Sequence, residues 1–398
     1  MIGVDIGVRE TTAVLDGTTV RVPSTADVYG GVRTALDRLG ASGPVVYGLH
    51  NLGRAVLCRT GLARVAVLRI GGGAVDAVRP LYDWPEPLRA AVHADSTIVD
   101  GGVERSGRAI APLDRAATIA FAERNRGAAF AICGPFGPLH DEQERDAAEL
   151  VRAAAGTEHV SCSADIGSLG LRGRENACVL DAALRPLAAR LAERLAAPDA
   201  YFLCGDGSCC ALDLLAERPS SALGSAHAAL LRGAAELRGR TELLVVLEDA
   251  VGAVAGELLV ESSAARFAGV PVSLPIAETL TATDAEGLAE ALDRLAPVPG
   301  QTPVQRIGEL DADPAVVRAV GAAAAPVVGR SVRVDDSGEA AEPAARADAI
   351  RRGAEPADVR TVSAWRHRLP YLHAAGIRSI AVAAGPAVHH GKGAADGG

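Results

Sequence analysis

Met1-Ile2-Gly3-Val4-Asp5-Ile6-Gly7-Val8-Arg9-Glu10-Thr11-Thr12-Ala13-Val14-Leu15-Asp16-Gly17 opens the chain, and the fold turns on how this stretch is read. Ile2, Val4 and Ile6 alternate as the buried face of a strand does. Residues 5–10 read as a turn, and Thr12 to Leu15 resume the strand up to Asp16-Gly17, a dipeptide that favours a tight hairpin. Thr18 to Val22 then reads as a third strand. The stretch predicts an antiparallel meander with a carboxylate, Asp5, at its first turn.

Working outward, Val28 to Leu39 has helical spacing and ends at Gly40, a residue suited to the left-handed cap. Residues 44–49 and 65–70 read as buried strands, the second running into Gly71-Gly72-Gly73. That triplet lacks the G-x-G-x-x-G spacing of a dinucleotide fingerprint. Two close prolines exclude helix over 82–87, and 96–103 with 108–110 read as a short hairpin. A helix to Asn125, a strand over 128–133, the Gly134-Pro135-Phe136-Gly137-Pro138 break and a charged helix over 141–155 follow in βα alternation. The second half predicts helices over 175–194 and 222–237 and a strand over 201–204. An apolar strand over 241–248, a turn over 249–252 and a strand over 257–260 mirror the N-terminal pattern and point to internal duplication. Residues 337–355 read as exposed, and 386–398 as a disordered tail carrying His389 and His390.

Hydrophobic residues make up 49% of the 398 and aromatics only 3%, so the cores must be built from alanine, valine and leucine. The net charge of −9 gives no general attraction to nucleic acid or an anionic membrane. Lys392 is the only lysine, so a lysine-borne phosphate or Schiff-base site in the body is excluded. No basic leader and no long apolar run is visible, so the expectation is a cytoplasmic protein. Seven cysteines, odd in number and without C-x-x-C pairs, suit buried, reduced thiols.

Taken in order, these segments resemble the hydantoinase/oxoprolinase A family of the actin–hexokinase–Hsp70 superfamily. Gly3-Val4-Asp5-Ile6-Gly7 resembles that family's first phosphate hairpin, G-V-D-x-G-G-T-x-T-D, and Val22-Pro23-Ser24-Thr25 its V-P-S-T step. Residues 103–114 resemble its E-R…G…P-L-D hairpin, and 131–144 its strand, proline break and histidine. Residues 174–184 resemble its N-A-x-L helix, and 201–219 its strand, Asp-Gly turn and E-R-P segment. The resemblance implies an α/β, two-lobed actin-like (ribonuclease H-like) ATPase fold with mixed sheets. It divides the chain into an N-terminal lobe at 1–165 and a second lobe at 166–385.

By that resemblance the protein is an ATP-dependent hydrolase of cyclic amides, with ATP and Mg²⁺ held between two glycine-rich hairpins. Glycines let backbone N–H groups approach phosphate closely. The implied nucleotide-side residues are Asp5, Gly7, Arg9, Thr11, Gly205, Asp206, Gly207, Glu248 and Asp249, with Asp5 and Glu248 as metal carboxylates. No catalytic residue is assigned.

The phosphate motifs depart from the family pattern. Val8 and Arg9 replace a glycine and a threonine, and Thr12 stands where the family has an aspartate. The second hairpin reads Glu248-Asp249-Ala250-Val251-Gly252 without Gly-Gly-Thr, and the Ser-Gly-Pro turn appears as Leu223-Gly224-Ser225. The alternative is therefore a non-catalytic family member that binds a small molecule or a partner subunit. His50 and His140 follow strands, where active sites of α/β sheets gather, although a structural histidine is the commoner outcome. Arg366 and Arg368 are further candidates for an anionic ligand, with solvated arginine as the default.

Overall fold

The computed structural model describes residues 1–24, 28–40, 42–167, 170–262, 265–297, 300–335, 340–368 and 377–388. Thr25 and the tail histidines lie outside these residues. The chain opens with β1 (Ile2–Ile6), β2 (Glu10–Leu15) and β3 (Thr18–Pro23), the meander expected from the alternation. Asp16 and Gly17 both take positive φ in the β2–β3 turn, as a two-residue hairpin loop requires. Next come α1 (Val28–Leu39), β4 (Val45–Gly48) and α2 (His50–Cys58).

A separate layer is inserted here: β5 (Val65–Ile70), α3 (Glu86–Val92), β6 (His93–Val99), α4 (Arg115–Arg124), β7 (Ala129–Cys133), α5 (Glu142–Ala155) and β8 (Val160–Cys162). Its four strands run parallel in the order β6-β5-β7-β8. Two expectations fail in this layer. Residues 96–99 belong to the parallel strand β6, and only the bridge Val103–Ala109 remains of the predicted hairpin. Helix α3 begins at Glu86, because Pro87 sits in its first turn, where a missing N–H costs nothing.

The 25-residue α6 (Leu171–Leu195) leads back to β9 (Ala200–Leu203), β10 (Cys209–Ala211) and α7 (Ser225–Arg238). The second lobe holds β11 (Glu242–Val246), β12 (Ala250–Ala255), β13 (Leu258–Leu259) and β16 (Thr279–Thr281), while the intervening ribbon β14 (Arg266–Phe267) and β15 (Val270–Pro271) packs against α6. It continues through α8 (Ala285–Leu295), β17 (Val304–Arg306) and α9 (Pro314–Ala323). The described chain then runs through β18 (Val327–Asp335), α10 (Ala341–Arg351), β19 (Arg360–Arg368) and β20 (Ile377–Gly385). Helix α10 buries Ala341, Ala345 and Ala349, so this part of 337–355 is packed rather than exposed.

The duplication is visible in the topology. One sheet contains the run β3-β2-β1-β4 and the other β13-β12-β11-β17. In both, the first two strands form an antiparallel hairpin and the first pairs parallel with the fourth. This is the two-lobed, ribonuclease H-like architecture expected from the sequence. The first sheet continues through β9, β10, β18, β20 and β19 to nine strands, so it draws on residues from both sides of the boundary expected at 165.

Between the sheets lie α9 and α7. A Cβ on Gly3 of β1 would stand 1.9 Å from the Ala319 carbonyl of α9, so that helix lies directly on the strand. A Cβ on Gly233 of α7 would meet the Val317 carbonyl at 1.9 Å, so the two helices cross backbone to backbone. The layers therefore run first sheet, α9, α7, second sheet.

Candidate functional site

The parallel strands β1, β4 and β9 end on one edge of the first sheet, where ligand crevices of α/β sheets form. Asp5 lies near the end of β1 with 1% of its surface exposed. Its Oδ1 accepts hydrogen bonds from His50 Nε2 at 2.6 Å and from Arg318 Nε at 3.0 Å. Its Oδ2 accepts from the second guanidinium arm of Arg318 at 2.9 Å. Burial pushes the Asp5 carboxyl up, but the hydrogen bonds and charges of His50 and Arg318 outweigh it and hold the group below its usual range.

Each partner is positioned by an element that follows from the sequence. His50 is the first residue of α2, immediately beyond the end of β4, which pairs with β1. Arg318 projects from α9, whose Asp313 side chain caps the first turn by accepting from the Ala315 amide. These two groups close one side of a cavity of about 530 Å³, large enough for a small organic molecule. Ile6, Gly7, Val8, Tyr29 and Leu191 supply much of its wall. Asn51 and Arg54 line it from α2, and Ala226 from the start of α7. Among the described residues Arg54 has no ion-pair partner.

His227, next to Ala226, feels both lobes. Desolvation lowers its imidazole, Asp249 opposes that effect, and His50 adds to it. The first hairpin lines the cavity through Gly7 and Val8.

The register corrects the pairing of carboxylates. Asp5 pairs with Thr12 in the first hairpin, and the equivalent pair in the second is Val245 with Gly252. Each hairpin has a three-residue loop, 7–9 and 247–249, closed by the same bond: Gly7 N–H to Glu10 O and Leu247 N–H to Ala250 O. Glu248 is therefore the counterpart of Val8, and Asp249 that of Arg9. The structural match of Asp5 is Val245, a buried valine. Residues 250–252, read as a turn from sequence, are the start of β12, and Val251 faces the core rather than a phosphate.

The other predicted residues fall as follows. Arg9 is exposed at the first loop, and Thr11 is buried on β2 with its hydroxyl unpartnered. Gly205, Asp206 and Gly207 form the β9–β10 turn, where Asp206 lines a different cavity. His140 accepts a structural role, its Nε2 lying 3.0 Å from the Arg105 carbonyl. Arg366 and Arg368 sit on β19, at the end of the nine-stranded sheet opposite β3. Sequence reasoning missed Arg318 and His227. A lone arginine within Pro314-Ala315-Val316-Val317-Arg318-Ala319-Val320, an otherwise apolar helix, was the available signal for the first.

The residues at the Asp5 site do not fit Mg²⁺. Both carboxylate oxygens are taken by cationic or neutral donors, and a divalent ion there would stand against the Arg318 guanidinium. No group of three His, Cys, Asp or Glu able to hold a metal occurs among the described residues. The hairpins fit phosphate no better. The Gly7 and Leu247 amides are spent within their own loops, and exposed Glu248 and Asp249 put negative charge at the second loop tip.

Residues 1–155 match the hydantoinase/oxoprolinase N-terminal region family. Among solved structures, the ATP-dependent caprolactamase from Pseudomonas jessenii is similar at a TM-score of 0.55 and 20% identity, over 71% of this chain and 47% of that one. The nucleotide-free structure of an acetone carboxylase, described with a mechanism of ATP-dependent acetone carboxylation, is similar at a TM-score of 0.52 and 18% identity, over 70% and 47%. The match thus spans about half the length of either relative. No curated protein matches the chain. No helix among the described residues is long and apolar enough to cross a membrane.

Proposed function

We infer, for a chain whose first 155 residues match the hydantoinase/oxoprolinase N-terminal region, that it keeps the two-lobed scaffold as a small-molecule binder without hydrolysing ATP. The observation that carries this reading is the state of Asp5: buried, ionised and hydrogen-bonded on both oxygens by His50 and Arg318. Three of the roughly four lone-pair sites of this carboxylate are taken, and the one left on Oδ2 lies beside the Arg318 guanidinium, which disfavours a metal-bound water. The apolar wall of the adjoining cavity suits an organic ligand, and Arg54 at its edge suits a ligand with one negative charge.

A second reading has one supporting observation. Both solved relatives are described as ATP-dependent, and the caprolactamase acts on a cyclic amide. On that reading the chain is one part of a larger ATP-dependent hydrolase, with a partner subunit supplying what the hairpins lack. In either case we place the protein in the cytoplasm, since seven free cysteines suit a reducing compartment.

Calorimetric titration with Mg-ATP, followed by measurement of phosphate release, separates the two readings. Absence of heat up to millimolar Mg-ATP supports the non-hydrolysing reading. Micromolar affinity with phosphate release would sink it.

A further inference from the structure

Two segments that the Asp5 cleft does not use, Gly205-Asp206-Gly207 and Glu217-Arg218-Pro219, converge on a second cavity of about 490 Å³. It shares no lining residue with the first. Its walls come from the inserted layer, α6, the β9–β10 turn, β18 and α10, segments that only the complete fold brings together.

Of the six carboxylates lining this cavity, Asp141 is held by Arg145, Glu217 is exposed without a partner among the described residues, and the other four are held as follows. Asp181 accepts from the Ser220 amide at 3.0 Å, the Ser220 hydroxyl at 2.6 Å and the Ser161 hydroxyl at 2.8 Å. Asp165 takes both arms of Arg145, at 2.7 and 3.0 Å. Asp348 accepts from the Arg330 amide and from Arg351, with Arg352 also beside it. Asp206 accepts from the Ser208 amide and hydroxyl on one oxygen, and its other oxygen stands 2.5 Å from Arg330 Nη1.

The arginines are not matched in the same way. Arg218 reaches only Asp165, at 3.8 Å, and the oxygen it approaches is already held by Arg145 at 2.7 Å. Its guanidinium makes no hydrogen bond among the described residues. Arg352 Nε is buried and lies 2.9 Å from Asp348, off the line of a hydrogen bond. Arg330 Nη1 is likewise buried without an aligned acceptor. The unspent acceptor on the other side is Asp206 Oδ2, which already faces Arg330. Arg330 and Arg352 are thus ion-paired to Asp206, Glu261 and Asp348, whereas the fork of Arg218 keeps donors that no acceptor takes among the described residues. A planar fork of N–H groups is best matched by a carboxylate, which takes two of them at once.

We propose that this cavity is a binding site for a small carboxylate, held through the guanidinium of Arg218 and the inner edge formed by Arg330 and Arg352. The site is independent of the cleft at Asp5, so its ligand adds to whatever the cleft binds.

Malonate is the probe. Titrated into the full-length protein at low salt, it is expected to bind in the millimolar range. Arg218→Gln is expected to weaken it at least tenfold. Arg218→Lys, which keeps the charge but loses the fork, is expected to weaken it about threefold or more. Arg126→Gln, on the exposed surface, is expected to leave binding unchanged. On the wild-type protein, malonate is expected to slow phenylglyoxal modification of Arg218, read by mass spectrometry, which keeps the proposal testable should a variant misfold. Equal binding to wild type and Arg218→Gln, no protection of Arg218, or inorganic phosphate binding tighter than malonate would each overturn it.

Discussion

Replacing Arg318 by methionine removes two hydrogen bonds from a carboxylate that is 1% exposed, while leaving a side chain of similar length in α9. Hydrogen bonds to a charged group contribute about 1.5–3 kcal/mol each. Breaking one side of a buried ion pair costs about 3–5 kcal/mol. His50, still 2.6 Å from Asp5, offsets part of that, so the expected loss is about 3 kcal/mol. Urea unfolding followed by circular dichroism at pH 7 measures it. Asp5→Asn combined with Arg318→Met is expected to recover much of the loss, because no charge is then stranded. The pH dependence has a definite sign. The Asp5 carboxyl is depressed in the folded protein, so its contribution is fully present above the ordinary carboxylate value. It is lost as pH falls through the folded value. The gap between wild type and Asp5→Asn should therefore narrow in acid. A loss below about 1 kcal/mol for Arg318→Met, on a scale where surface changes stay within about 0.5 kcal/mol, would refute the role given to this pair.

Three further outcomes follow from the same geometry. Mg-ATP at 1 mM should leave the melting temperature unchanged, since even a ligand at its own dissociation constant adds only about 0.4 kcal/mol; a rise of several degrees would contradict the fit made at Asp5. Glu248→Ala should alter urea stability by no more than about 0.5 kcal/mol, as expected for an exposed loop tip, and a larger loss would mean that Glu248 has a buried partner. Gly3→Ala should cost at least about 1–3 kcal/mol or abolish folding, because its methyl group would stand 1.9 Å from a backbone carbonyl that cannot step aside; a stable, wild-type-like variant would show that α9 does not lie on β1 as described.

Local signals made much of the scaffold legible. Alternation in 2–6 gave β1, the Asp16-Gly17 pair gave the β2–β3 turn, and the spacing from Val28 with Gly40 behind it gave α1 with its cap. The second hairpin was legible as a repeat but not in register. Ala250-Val251-Gly252 carries small residues that read as a turn, yet Gly252 is needed in the strand, where a Cβ would collide with Leu231 of α7 at 2.6 Å. The site was legible by half. Asp5 announces itself at the end of an apolar strand, but the arginine that neutralises it lies 313 residues away. Nothing local in α9 says which carboxylate its one charge will meet. The unmatched guanidinium of Arg218 was hidden for the same reason: Arg218, Arg330 and Arg352 reach one cavity from segments far apart in the chain.

The duplicated hairpins make the electrostatics of the cleft easier to interpret. At the same register position, one lobe carries Asp5 and the other Val245, and both are buried beside a crossing helix. A buried carboxylate with no cation beside it is too costly to keep ionised. The second lobe meets this constraint with an apolar residue. The first meets it with the fork of Arg318 and the ring of His50, which leave Asp5 charged yet closed to other cations. Restoring a metal site would therefore require a change outside the hairpins. Glycines placed at positions 8 and 251 would leave Arg318 where it is, whereas Arg318→Ala would free one oxygen of Asp5 completely. If Mg²⁺ binding, measured by calorimetry, rises in Arg318→Ala but not in Val8→Gly, the arginine is what closes the site. If Val8→Gly alone confers Mg²⁺ or nucleotide affinity, the loop and not the ion pair was limiting, and the account of Asp5 fails.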